Sequence, residues 1–122
     1  MWRILQQPTA DDFVIATGEQ HSVRDFTVRA FAENGITLRF EGSGVEEKGY
    51  DAATGKMRVC VNPVWFRPTD VDDLWGDPAK ARSVLGWDPQ KTSYAALIRR
   101  MAQHDRALAR RERALRDAGI TQ

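Results

Sequence analysis

An α/β domain is the fold class this sequence predicts, and three patterns predict it. A continuous apolar run, Phe13-Val14-Ile15-Ala16, ends at Thr17-Gly18 and precedes an amphipathic helical stretch, the strand–turn–helix order of a parallel sheet. Apolar and polar residues alternate over 36–41 and again over 57–62, the period of strands with one wet face. Tyr94, Met101, Leu108 and Leu115 recur every seven residues, the stripe of a long packed helix. With 122 residues, 42% hydrophobic and 29% charged, the chain fits one globular domain with a single modest core.

Each element follows from local chemistry. Residues 1–7 read as the last turns of a helix, with Trp2 and Leu5 on one side and Pro8 as the stop. No cap precedes this opening helix, an odd start for a domain. Phe13–Ala16 suits a strand buried on both faces. Ser22 caps the next helix, and Asp25 at its third position is favoured by the helix dipole. Val23, Phe26, Ala30 and Phe31 share a face of that helix, and Gly35 ends it. Ile36, Leu38 and Phe40 then alternate along a strand. Gly42 to Gly55, rich in glycine and charge, reads as a long surface excursion. Met57, Val59 and Val61 form another strand, which leads through Pro63 to Phe66-Arg67-Pro68. Asp77 caps a helix with Pro78 in its first position and Gly86 at its end. Thr92 or Ser93 starts the final helix, which runs to about Ala118 with Gly119 as its stop. The expected order is α-β-α-β-β-α-α, with no internal repeat.

Bulk properties exclude several classes of function. The formal net charge of +1 advertises no polyanion partner, and one cysteine, Cys60, leaves no intrachain disulfide and no thiol metal cluster. No apolar run reaches membrane-spanning length and residues 1–7 lack the long apolar segment of a secretory signal, so a cytoplasmic setting is the default expectation. His21 and His104 have no spaced partner for a metal pair or a triad, and read as surface residues. Cys60, between Val59 and Val61, reads as a small packing residue.

The chemistry concentrates at Arg67 and Asp70. An arginine fork grips a diphosphate through paired charge-assisted hydrogen bonds, and a carboxylate nearby accepts from two ribose hydroxyls. The alternative is a surface salt bridge for Arg67 and a helix cap for Asp70 among Asp72 and Asp73. Helical spacing leaves Asp70 and Asp73 on one face and Asp72 off it, which argues against a three-carboxylate cation site. Arg24, near the N-terminus of the Ser22 helix, is a further candidate for an anion, although exposed arginine is the commoner outcome. The final helix carries seven arginines, Arg99, Arg100, Arg106, Arg110, Arg111, Arg113 and Arg116, against three carboxylates. A solvated basic face explains them better than a nucleic-acid site. The sequence holds no G-x-G-x-x-G, no G-x-x-G-x-x-G, no P-loop and no Tyr-x-x-x-Lys.

These residues resemble a known family. Asp12-Phe13-Val14-Ile15-Ala16-Thr17-Gly18, Ser22-Val23-Arg24-Asp25-Phe26, Leu38-Arg39-Phe40-Glu41-Gly42 and Gly44-Val45-Glu46-Glu47-Lys48-Gly49 match it in order. So do Phe66-Arg67-Pro68, Gly76-Asp77-Pro78-Ala79-Lys80-Ala81 and Leu85-Gly86-Trp87. Together they are similar to the C-terminal portion of the GDP-mannose 4,6-dehydratases, extended short-chain dehydrogenase/reductases, from Met1 to about Asp105. The resemblance implies a lyase that removes water from GDP-mannose to give a 4-keto-6-deoxy sugar, the first step toward GDP-fucose. In that family a tightly held NADP takes a hydride from the sugar C4 and returns it at C6. The cofactor loop and the catalytic groups belong to an N-terminal Rossmann half that this sequence lacks. Carried over by position, Arg67 would hold the diphosphate and Asp70 the guanosine ribose, with Arg24 a further phosphate candidate. Relatives usually have glutamate where Asp70 stands, and the segment Tyr50 to Arg58 is shorter than in many of them.

The resemblance therefore predicts a nucleotide-sugar-binding lobe, residues 1–122 as one partial domain, inactive alone. Residues 1–35 would complete the edge of a missing Rossmann sheet, and 93–119 would form the C-terminal helix. A fragment, a truncated gene or a split reading frame would account for this. Its expected partners are GDP-mannose or GDP, the Rossmann half in cis or in trans, and further copies of itself. NADP is expected in the full-length family but not on this chain, and neither metal, nucleic acid nor membrane is expected. The competing readings are an oligomerising module built on the Tyr94–Leu115 stripe and, behind it, a nucleic-acid binder built on the basic helix.

Overall fold

The computed structural model describes residues 1–67 and 73–120, which fall into two compact units. One joins Met1–His21 to Thr69–Ser93, and the other joins Ser22–Pro68 to Tyr94–Gln122. The second unit holds a small antiparallel sheet with helices; the first holds helices and irregular chain.

In the larger unit, helix α2 (Val23–Ala32) starts where Ser22 accepts the amide of Asp25 at 3.1 Å, and Asp25 pairs with Arg29 one turn on at 2.8 Å. Gly35, at φ +75°, lets the chain leave the helix while the Ile36 amide returns to the Phe31 carbonyl at 3.1 Å. Strands β1 (Leu38–Glu41), β2 (Lys48–Asp51) and β3 (Met57–Cys60) form the sheet in the order β1-β2-β3, antiparallel throughout. Phe40 stands opposite Gly49, and Gly49 opposite Val59, before the register shifts. Helix α4 (Tyr94–Asp117) packs its first turns on α2, with Ile98 2% exposed.

One expectation is corrected here. The 42–55 stretch is no plain excursion, because it contains β2, the central strand. Its sequence, Lys-Gly-Tyr-Asp, hides the strand, yet Gly49 is what the sheet requires at that point. A Cβ on Gly49 would meet the Phe40 ring at 3.1 Å and Val59 at 3.2 Å. The sheet is antiparallel throughout. The links 42–47 and 52–56 are too short for a crossover, so they can join only antiparallel neighbours. Phe13–Ala16 pairs with no strand among the described residues. The partner strands expected for this run are those of a Rossmann half, not of its own unit.

In the smaller unit, α1 (Trp2–Leu5) ends ahead of Pro8, and α3 (Ala79–Leu85) buries Ala81 and Leu85. Pro78 sits at the cap of α3, one position earlier than expected, while the Asp77 carboxylate accepts the Ala79 amide at 2.9 Å. Gly86, at φ +57°, closes α3, and Arg3 donates to the carbonyls of Leu85 and Gly86. Arg82 donates to the Thr17 carbonyl at 3.0 Å, and Lys80 pairs with Asp11 at 2.7 Å.

Candidate functional site

Arg67 follows β3 through a turn over 63–65 and is exposed to solvent. Asn62 fixes that turn twice. Its carboxamide oxygen accepts the Val64 amide and its carbonyl accepts the Trp65 amide, both at 3.0 Å. The arginine therefore leaves an anchored piece of backbone and faces water, as a side chain that meets a ligand must. Asp70, the expected ribose partner, lies outside the described residues, and so do Pro68, Thr69, Val71 and Asp72.

Arg24 belongs to the same unit as Arg67, in the first turn of α2. Its guanidinium donates to Glu47 and lies 5.2 Å over the Phe40 ring. The structure thus brings Arg24 together with a carboxylate of the β1–β2 link, not with an open anion site. Glu47 is the more buried partner, with a side chain 17% exposed against 58% for Arg24, so the arginine keeps an edge in solvent. Sequence reasoning missed Glu47. The run Glu46-Glu47-Lys48 looks uniformly solvated, and only the fold of the 42–47 link selects one of its acids.

One electrostatic perturbation in this unit has a structural use. Asp51 ends β2 and accepts from the Ala53 and Thr54 amides at 3.0 and 3.3 Å and from Arg58 at 3.3 Å. These bonds, led by the Thr54 side chain, hold its carboxyl below the usual carboxylate range. Burial, with the Asp25 carboxylate as a second cause, pushes the Tyr94 phenol above its ordinary value. Tyr94 lies under the Arg29 guanidinium at 5.6 Å, where it ties α4 to α2. Among the described residues no three histidine, cysteine or acidic side chains are placed to hold a metal ion. Cys60 is exposed rather than packed, which corrects its expected role. Among the described residues no helix is long and apolar enough to cross a membrane.

The sequence profile described as GDP-mannose 4,6 dehydratase matches residues 1–101, which include α1 to α3, the sheet and both arginines. The chain belongs to the GDP-mannose 4,6-dehydratase family. It is 55% identical over 108 residues to GDP-mannose 4,6 dehydratase 2 of Caenorhabditis elegans, covering 88% of this chain and 28% of that relative. Similarity to the GDP-mannose 4,6-dehydratase of Sinorhizobium fredii (strain HH103) is 50% identity over 86% of this chain and 30% of the relative. For the Homo sapiens GDP-mannose 4,6 dehydratase it is 44%, over 90% and 29%. The chain thus spans less than a third of the length of these curated relatives. Within the family the structure adds a small α/β architecture with a three-stranded antiparallel sheet.

Proposed function

We propose that this chain supplies the GDP-sugar-binding part of a GDP-mannose 4,6-dehydratase, the C-terminal lobe of an extended short-chain dehydrogenase/reductase. The observation that carries the reading is Arg67, exposed on an anchored turn inside the matched span. Arg67 grips the diphosphate by a bidentate, charge-assisted fork, and Asp70 takes the ribose hydroxyls. Arg24 contributes to the anion only by exchanging Glu47 for phosphate, so its share is the smaller one. Residues 1–35 complete a sheet supplied by a Rossmann portion in cis or in trans. The full assembly converts GDP-mannose to the 4-keto-6-deoxy sugar in the cytoplasm.

The described residues do not form the usual dinucleotide site. Neither α2 nor α3 follows a described strand through a glycine-rich turn, the arrangement that sets a pyrophosphate on helix amides. NADP therefore belongs to the Rossmann portion, and this chain's task is to hold and orient the nucleotide sugar.

Calorimetric titration of GDP into the chain tests this reading. Arg67→Ala should weaken binding by about 1.5–3 kcal/mol, the range for a hydrogen bond to a charged group. An unchanged isotherm would remove Arg67 from the site. Turnover of GDP-mannose by the purified chain with added NADP would overturn the assignment of catalysis to another portion. One observation favours a second reading, an oligomerising helix: Met101, Leu108 and Leu115 of α4 are all exposed.

A further inference from the structure

Val64, Trp65 and Phe66 are consecutive apolar side chains that the fold leaves 81%, 78% and 44% exposed. A single exposed apolar residue needs no explanation, but a run of three is unfavourable unless something covers it. The run sits on the turn that Asn62 anchors, so Trp65 is presented from fixed backbone and loses little freedom on meeting a ligand. Arg67 lies two residues on, within about 7 Å along the chain even when fully extended. Phe66, the least exposed of the three, separates them.

We infer that Trp65 is the stacking platform for the base of the nucleoside diphosphate whose phosphates Arg67 grips; this rests on the reading of Arg67 given above. One ribose separates a base from its diphosphate, and two residue steps separate Trp65 from Arg67 along the chain. An indole offers a wide, rigid π face at the cost of only two side-chain torsions, and stacking on it needs no hydrogen-bond complement. Affinity for the base and affinity for the phosphates are then carried by two side chains on one short segment. The two can be removed separately.

The test is equilibrium binding of GDP and of inorganic pyrophosphate to the 122-residue chain and to Trp65→Ala, Trp65→Phe and Arg67→Ala. Trp65→Ala should weaken GDP by between about five- and 150-fold, the range for one lost base stack, and leave pyrophosphate unchanged. Trp65→Phe should fall between, and it should lose part of the tryptophan quenching that GDP causes. That second readout decides the matter if the alanine variant fails to fold. GDP binding untouched by both Trp65 variants, while Arg67→Ala weakens both ligands, would overturn the stacking role alone and leave the apolar run as a protein contact. Equal losses for GDP and pyrophosphate in the Trp65 variants would also overturn it. If Arg67→Ala changes neither ligand, or the unaltered chain binds neither, the reading of Arg67 fails and the stacking role fails with it.

Discussion

Asp51 is the charged side chain that the described fold buries, at 5% exposure, and it organises the turn from β2 to β3. Its amide donates to the Lys56 carbonyl and its carbonyl accepts the Gly55 amide, while its carboxylate holds Ala53, Thr54 and Arg58. Because the folded carboxyl titrates below its ordinary value, its contribution to stability is whole above about pH 4 and is lost as pH falls further, through the lowered value. Acid titrations of the denaturation midpoint should therefore show a steeper fall for the natural chain than for Asp51→Asn. The variant should also be the less stable at neutral pH, because Arg58 loses its ion pair. Parallel pH profiles for the two would contradict this role. The sequence made Arg67 legible because its motif is local and flanked by further matches. It gave no hint of Glu47 or Asp51 as partners, since both lie in a stretch whose composition reads as solvated loop.

At the scale of elements, signals carried by neighbours in sequence were readable and those carried by neighbours in space were not. Ser22 with Asp25, Gly35 and Gly86 mark helix ends through bonds spanning a few residues, and the structure forms those ends where expected. β2 was unreadable because its place depends on Phe40 and Val59 closing over Gly49 from the two flanking strands. Burial along α4 is uneven, and its buried residue stands beside the seven-residue stripe rather than in it. Ile98, on the face toward α2, is buried, whereas Leu115 is 36% exposed. Ile98→Ala should cost about 2–5 kcal/mol by leaving a cavity, and Leu115→Ala about 0.5 kcal/mol or less. Urea unfolding of both variants checks the difference. Equal costs would mean that the distal half of α4 is covered in solution.

Many large apolar side chains among the described residues are open to solvent. Trp2, Leu74 and Trp75 of the smaller unit are all open to solvent, as are Val14 and Ile15. Sedimentation velocity should show association that grows with concentration; a single monomer at high concentration would speak against it. This surface agrees with a chain that spans less than a third of its relatives' length. The α/β class was legible from periodicity, but the division into two units was not, because no linker composition marks it. The path of the chain has one more consequence. It passes from the smaller unit to the larger and back before entering the larger again, so neither unit is a continuous stretch. During synthesis the smaller unit must wait for α3 to supply Ala81 and Leu85, and the larger for α4 to supply Ile98. Until Ile98 leaves the ribosome, α2 lacks the deeply buried side chain that α4 brings to it, although α2 and all three strands have already been made.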